Sequence, residues 1–161
     1  MWKQLLKLED FHMFKYKTEL TNLYNLCMSF NHNVNCYIHG GLGIWNLLFN
    51  NSDIYIIDFG EVRRGNNHLD VSAVLTSTID WNRTDGVIMN SLKDFRAGYL
   101  TNFNDFSWKV LKENFFLWFT RGMIALLVNF GINKDTNEYV EKTIEKLKKI
   151  EAIIGTNNID N

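Results

Sequence analysis

Apolar positions recur at helical spacing over most of the chain and alternate or cluster in short runs over one stretch near its first third. Trp2 to Phe30 reads as helix, with Leu20, Leu23, Cys27 and Phe30 on one face of its later part, and a break near His12–Lys17 divides it in two. Asn31-His32-Asn33-Val34-Asn35 is a turn-type cluster, after which Cys36-Tyr37-Ile38 forms a short strand. Asn46–Phe49 and Asp53–Phe59 are two apolar runs flanking Asn50-Asn51-Ser52, the pattern of a β-hairpin with a three-residue turn. From Asp70 onward the period is helical again. Asp70 is placed to cap a helix running to about Ile79, and Val87–Leu100 makes a second. Ser107–Phe130 is a long aromatic-rich helix stopped by Gly131, which can take the left-handed conformation that ends helices. Asp135 and Glu138 resemble a capping box at the start of a last helix, with Val140, Ile144, Leu147 and Ile154 on one stripe and Gly155 at its end. The pattern predicts one mainly α domain with a small β-hairpin over residues 1–155 and a frayed tail at 156–161.

Composition narrows the function classes. The 161 residues, 46% hydrophobic, suffice for one core and not for two. The 17 basic and 18 acidic residues are scattered, so no charged face favours nucleic acid or an anionic membrane. Cys27 and Cys36 fall in apolar surroundings and read as reduced, buried thiols of a cytoplasmic protein. Met1-Trp2-Lys3-Gln4-Leu5 leads into Glu9 and Asp10 without the apolar core of a signal peptide. Phe115–Val128 is interrupted by Thr120, Arg121 and Gly122, which makes it a core helix rather than a membrane span. The aromatics Phe115, Phe116, Trp118 and Phe119 at helical spacing belong to that core.

The chemistry concentrates in His39-Gly40-Gly41-Leu42-Gly43-Ile44-Trp45-Asn46 and in Ile57-Asp58-Phe59-Gly60. In phosphoryl-transfer loops of the kinase type, an Asp that orients the substrate hydroxyl stands five positions before an Asn metal ligand, and a second Asp before Phe-Gly holds the metal. Asn46 and Asp58 fit the two metal positions, and a hairpin brings residues twelve apart together at its open end. Mg²⁺ is well served by few protein oxygens plus phosphate and water. Five positions before Asn46 stands Gly41, which has no side chain to take a proton. His12, His32 and His68 have no spacing that suggests zinc, and Glu61 either reaches the same cleft or is an exposed carboxylate after a turn. Ile44 and Trp45, at the loop tip, either fill space or cover an interface.

These motifs resemble the aminoglycoside phosphotransferase and choline kinase-like family, whose loop commonly reads His-Gly-Asp-Leu-His-x-x-Asn-Leu-Leu-Phe and leads through a hairpin into Ile-Asp-Phe. Asn46-Leu47-Leu48-Phe49 and Ile56-Ile57-Asp58-Phe59 match directly, and Gly65 with Asp70-Val71-Ser72-Ala73 matches the family's Gly followed by Asp-Leu-Ala. A weaker likeness, including Phe95-Arg96-Ala97-Gly98-Tyr99, runs through the later helices. The resemblance implies the C-terminal, large lobe of a protein kinase-like fold. In such kinases a small β-rich lobe carrying a nucleotide-clamping Lys and its Glu partner comes first; the residues before His39 are too few for it, so the N-terminal lobe is expected to be absent. The resemblance also implies that His39 shapes the loop, that Asp70 buttresses it from a helix start, and that Mg²⁺ and ATP are the ligands to look for. Gly41 and Gly43 stand where the family usually has Asp and His.

The leading reading is a truncated or degenerate small-molecule kinase lobe, a pseudokinase with the ancestral transferase reaction of moving the γ-phosphoryl of ATP to a hydroxyl on a small polar acceptor. Alternatives are a phosphotransferase component completed by a separate nucleotide-binding lobe, or a non-catalytic interaction module. The partner would then be that lobe or a second copy of the chain. Acceptor choice lies in the variable helices, which carry no legible signal.

Overall fold

Helix α5 (Trp108–Phe130) is the axis around which the other helices of the computed structural model pack, and the residues described are 1–31 and 33–155. Its long apolar stretch is buried because it is surrounded: α1 (Trp2–Leu5), α2 (Lys17–Ser29), α3 (Asn67–Thr78) and α6 (Lys134–Gly155) all lie against it. Leu111, Phe115, Met123 and Leu127 are wholly excluded from solvent, the burial pattern of a helix covered on several sides rather than on one stripe. Ser107 caps α5, its hydroxyl accepting the Val110 N–H. Gly131 ends the helix at φ 72° with an extended ψ of −175°, so its backbone has the positive φ expected of it but not the left-handed helical ψ. None of the described helices is long and apolar enough to cross a membrane. Helix α4 (Asp85–Leu100) completes the helical layer, with Ile88 and Leu92 in the core.

Helix α6 lays Val140, Ile144, Leu147, Ile150 and Ile154 on the core, as its stripe predicts. Its cap differs from expectation. The Asn133 side chain accepts the Asp135 and Thr136 N–H groups, so Asp135 sits inside the first turn instead of capping it. The first thirty residues also depart from two plain helices. Only α1 and α2 are α-helical, with a 3-10 stretch at Glu9–Met13 between them, because Phe11, Phe14 and Tyr16 all turn into the core and Trp2 stacks on Tyr24 at 4.1 Å between ring centroids.

The described residues form two two-stranded antiparallel sheets. The hairpin pairs β2 (Leu47–Asn50) with β3 (Asp53–Ile56). Asn50 pairs with Asp53, so the turn has two residues, Asn51-Ser52, not three, and Asn51 takes φ 54° as tight hairpin turns require. The second sheet joins the expected β1 (Cys36–Ile38) to β4 (Arg63–Gly65), a strand without apolar alternation. A side chain at Gly65 would run into Ile38, so the close pairing depends on that glycine. The frayed tail at 156–161 and His32 lie outside the described residues.

Candidate functional site

The loop after β1 is held from three sides. Asp70, in the first turn of α3, accepts the His39 N–H at 2.6 Å and the Gly40 N–H at 2.9 Å, one on each carboxylate oxygen. It is free to do so because the cap of α3 is Asn66, whose side chain accepts the His68 N–H; the expectation that Asp70 is the cap is corrected here. His39 donates from Nε2 to the Ile57 carbonyl at 2.8 Å, tying the loop to the end of β3. That bond requires a proton on Nε2, and Nδ1 is buried without a hydrogen-bond partner among the described residues. Arg121 of α5 donates through Nη1 to the Gly40 carbonyl at 2.9 Å. Gly40 itself has φ 84°, and any side chain there would collide with the Arg63 guanidinium and the Glu61 carbonyl.

Asn46 and Asp58 line the same cleft at the open end of the hairpin. Asn46 closes a 3-10 turn (Ile44–Asn46), and its carbonyl accepts the Ile57 N–H, extending the strand ladder by one step toward Asp58. It is buried, and its Nδ2 donates to the Gly41 carbonyl at 2.9 Å, which leaves Oδ1 as the atom able to ligate. Asp58 is exposed in the left-handed region, at φ 61° and ψ 60°, and its carboxylate has no hydrogen-bond or ion-pair partner among the described residues. A non-glycine residue held there costs roughly 1–3 kcal/mol, a cost that clusters at functional sites. No group of three or more His, Cys, Asp or Glu is placed to hold a metal among the described residues. A cation here would rest on Asn46 and Asp58, with its other oxygens from phosphate and water.

At Gly41 the space is open: an added Cβ would find only His39 Nδ1, at 4.0 Å. At Gly43 the opposite holds, since the Trp45 ring lies where a side chain would go. Trp45 thus packs over Gly43 while staying largely exposed, and Ile44 is exposed too, with its N–H donated to Ser77.

The cleft holds about 530 Å³ and is walled by α3, α5 and α6. Glu61 reaches it, but its carboxylate is paired with Arg121, with Arg63 3.7 Å away. The Arg121 hydrogen bond holds the Glu61 carboxyl below the usual range. Two stripes form the far wall: Trp118, Gly122 and Ala125 on α5, and Tyr139, Thr143 and Lys146 on α6. Sequence reading missed this wall and assigned Trp118 to the core; Phe115, Phe116 and Phe119 are buried as expected, whereas Trp118 is half-buried at the cleft. The available signal was Gly122, a small residue amid bulky apolar ones, with Ala125 following one turn on.

His68 is buried with Nε2 accepting the Ser107 N–H, and exposed His12 bonds to the Glu9 carbonyl; neither faces the cleft. Cys27 and Cys36 are free thiols, the first buried and the second half-buried, and burial pushes both thiols up.

No curated protein and no solved structure matches the chain. A family model does, over residues 5–156, which takes in the loop, the hairpin and every helix of the cleft wall. On that match the chain belongs to the DUF1679 family, described as "Uncharacterized oxidoreductase dhs-27".

Proposed function

We propose that this chain is a kinase-like large lobe of the aminoglycoside phosphotransferase and choline kinase type that holds a metal-bound nucleotide through Asn46 and Asp58, and that Gly41 leaves it unable to complete phosphoryl transfer by itself. The observation that carries this reading is the pairing of Asn46 with an unpartnered, backbone-strained Asp58 on one cleft. A buried amide whose Oδ1 is left over and a carboxylate free of partners among the described residues make a donor set suited to Mg²⁺, a hard cation that takes oxygen ligands. When bound, the metal would neutralise phosphate charge. The chain's own part is to fix the loop through Asp70, His39 and Arg121, so that the two ligands stay in register. At the position where a base would act there is only open space beside His39 Nδ1.

The description of the family model speaks of an oxidoreductase. A doubly wound dinucleotide site needs parallel strands and a third glycine in G-x-G-x-x-G. The sheets described here are antiparallel pairs, and Gly41-Leu42-Gly43-Ile44-Trp45 is followed by Asn46. The phosphate reading therefore has the stronger physical support. The test is Mn²⁺ as a paramagnetic stand-in: the amide signals of Asn46, Ile57 and Asp58 should broaden first, more so with ADP present and not in Asp58→Ala. Broadening spread over surface carboxylates, or unchanged in that variant, would refute the reading.

A second reading, that a nucleotide-binding lobe or another copy covers this surface, is favoured by the hairpin. Phe49 is 64% exposed, Ile54 61% and Tyr55 50%. Neighbouring apolar groups left in water on both faces of a hairpin are a common mark of a contact surface. Sedimentation velocity should show concentration-dependent association that Phe49→Lys with Ile54→Lys abolishes, and an unvarying monomer would count against it.

A further inference from the structure

The charges of the cleft fall into two groups. Near the hairpin stands Asp58, whose carboxylate has no partner among the described residues; Glu61 is neutralised by Arg121. On α6, in the helical wall of the same cleft, stands Lys146, half-buried, with no ion pair or hydrogen bond among the described residues. One turn before it on α6 is Thr143, 3% exposed, whose hydroxyl likewise has no partner among the described residues. Trp118 and Tyr139 offer ring surface beside these two groups, and Gly122 keeps the space between them open: a Cβ there would come to 3.4 Å from the Tyr139 hydroxyl oxygen.

Once a divalent cation satisfies Asp58, the remaining unpaired charge of the cleft is positive. A polycationic aminoglycoside or a choline-like ammonium finds no spare carboxylate among the described residues of the helical wall and meets Lys146 instead, since Arg121 is already paired with Glu61. We propose that the second ligand of this cleft is a small organic anion with a flat, apolar body, its carboxylate or comparable oxyanion held by Lys146 Nζ and the Thr143 hydroxyl and its ring against Trp118 and Tyr139. This deepens the metal–nucleotide reading by naming the acceptor-side ligand class, and it rests on that reading for Asp58 being occupied. A charge-assisted hydrogen bond in a partly desolvated pocket is worth more than an exposed ion pair, so charge should dominate selection among ligands of equal shape. An aromatic body adds area at small conformational cost.

The experiment uses three probes of matched shape: 4-hydroxyphenylacetate, its neutral alcohol 2-(4-hydroxyphenyl)ethanol, and the amine tyramine. Each is titrated by ligand-observed NMR and calorimetry into the chain with Mg²⁺ and a non-hydrolysable ATP analogue, and again without either. With the metal and nucleotide present, the carboxylate should bind roughly tenfold more tightly than the amine. Lys146→Gln should erase that difference while leaving the alcohol unchanged, and Lys146→Arg should retain it. Gly122→Leu should weaken all three probes by filling the cleft. Equal or tighter binding of tyramine, or a preference that survives Lys146→Gln, overturns the proposal. So does competition between the carboxylate and the nucleotide analogue, since Lys146 would then be serving phosphate. Failure of the metal site shows separately, as loss of nucleotide binding without organic probe, and leaves the charge ranking of the probes and its dependence on Lys146 to be read in the titrations without nucleotide.

Discussion

Replacing Asp70 by Ala removes the acceptor for two adjacent backbone donors, His39 N–H at 2.6 Å and Gly40 N–H at 2.9 Å. Hydrogen bonds to a charged group contribute about 1.5–3 kcal/mol each, and two that share one carboxylate and one strained loop are not independent. We take about 3 kcal/mol for the pair. For a chain of this length, each kcal/mol corresponds to a fall of roughly 2–4 °C in Tm, so Asp70→Ala should melt about 6–12 °C lower. Asp70→Asn keeps one acceptor oxygen but turns an amide donor toward the other N–H, and should lose about as much. Asp135→Ala is the control. Asp135 also lies in a first helical turn, but its side chain anchors no loop, so it should cost only about 0.3–1 kcal/mol through the helix dipole. Calorimetric melting gives the global value. Hydrogen exchange at the His39 and Gly40 amides tests the local mechanism, because both should lose protection ahead of the core of α5. A change in Tm below about 2 °C with both amides still protected would show that Asp70 does not hold the loop.

Two further outcomes rest on the same geometry. Gly41→Asp should fold normally, since its Cβ enters open space, yet show no phosphate transfer from radiolabelled ATP to a panel of small hydroxyl acceptors; turnover by that variant alone would show that the missing carboxylate is the sole defect. General-base catalysis supplies only about a hundred- to ten-thousand-fold of a typical acceleration, too little to replace nucleotide positioning. Arg121 holds the Glu61 carboxyl low, so the tether between α5 and the 3-10 turn Phe59–Glu61 is present above the ordinary value near about 4.3 and is lost as pH falls through the lowered one. NMR titration of the Arg121 guanidinium should report that transition and Glu61→Gln should abolish it, whereas a transition unchanged in the variant would assign it to another group; both side chains are partly exposed, so the effect on global stability should stay within about 1 kcal/mol.

What the sequence disclosed follows from how each element is encoded. Helices α5 and α6 are legible because dozens of side chains repeat the same period, and the hairpin because two apolar runs flank a polar turn. Strand β4 is not legible, since Arg63-Arg64-Gly65 pairs with β1 through backbone alone and its side chains carry no pattern. Helix starts are ambiguous wherever several capping residues stand close together. Asn66 caps in place of Asp70, whose carboxylate is claimed by the His39 and Gly40 amides, and Asn133 caps in place of Asp135. At the site, the loop and the two proposed ligand residues, Asn46 and Asp58, are visible as local strings. The groups contributed by distant helices were not. Arg121 bonds Gly40 across 81 positions, and Lys146 and Thr143 face the cleft only because α6 packs on α5.

Calorimetric titration of Mg-ATP into the chain reads out the proposed metal–nucleotide site itself. A metal-bound nucleotide held by Asn46 and Asp58 should give weak, saturable heat in the millimolar range that disappears with chelator, that is similar for ATP and GTP because both residues would contact metal rather than base, and that is lost in both Asp58→Ala and Asn46→Ala. Absence of heat at millimolar Mg-ATP, or binding that survives either chelator or Asp58→Ala, would contradict it.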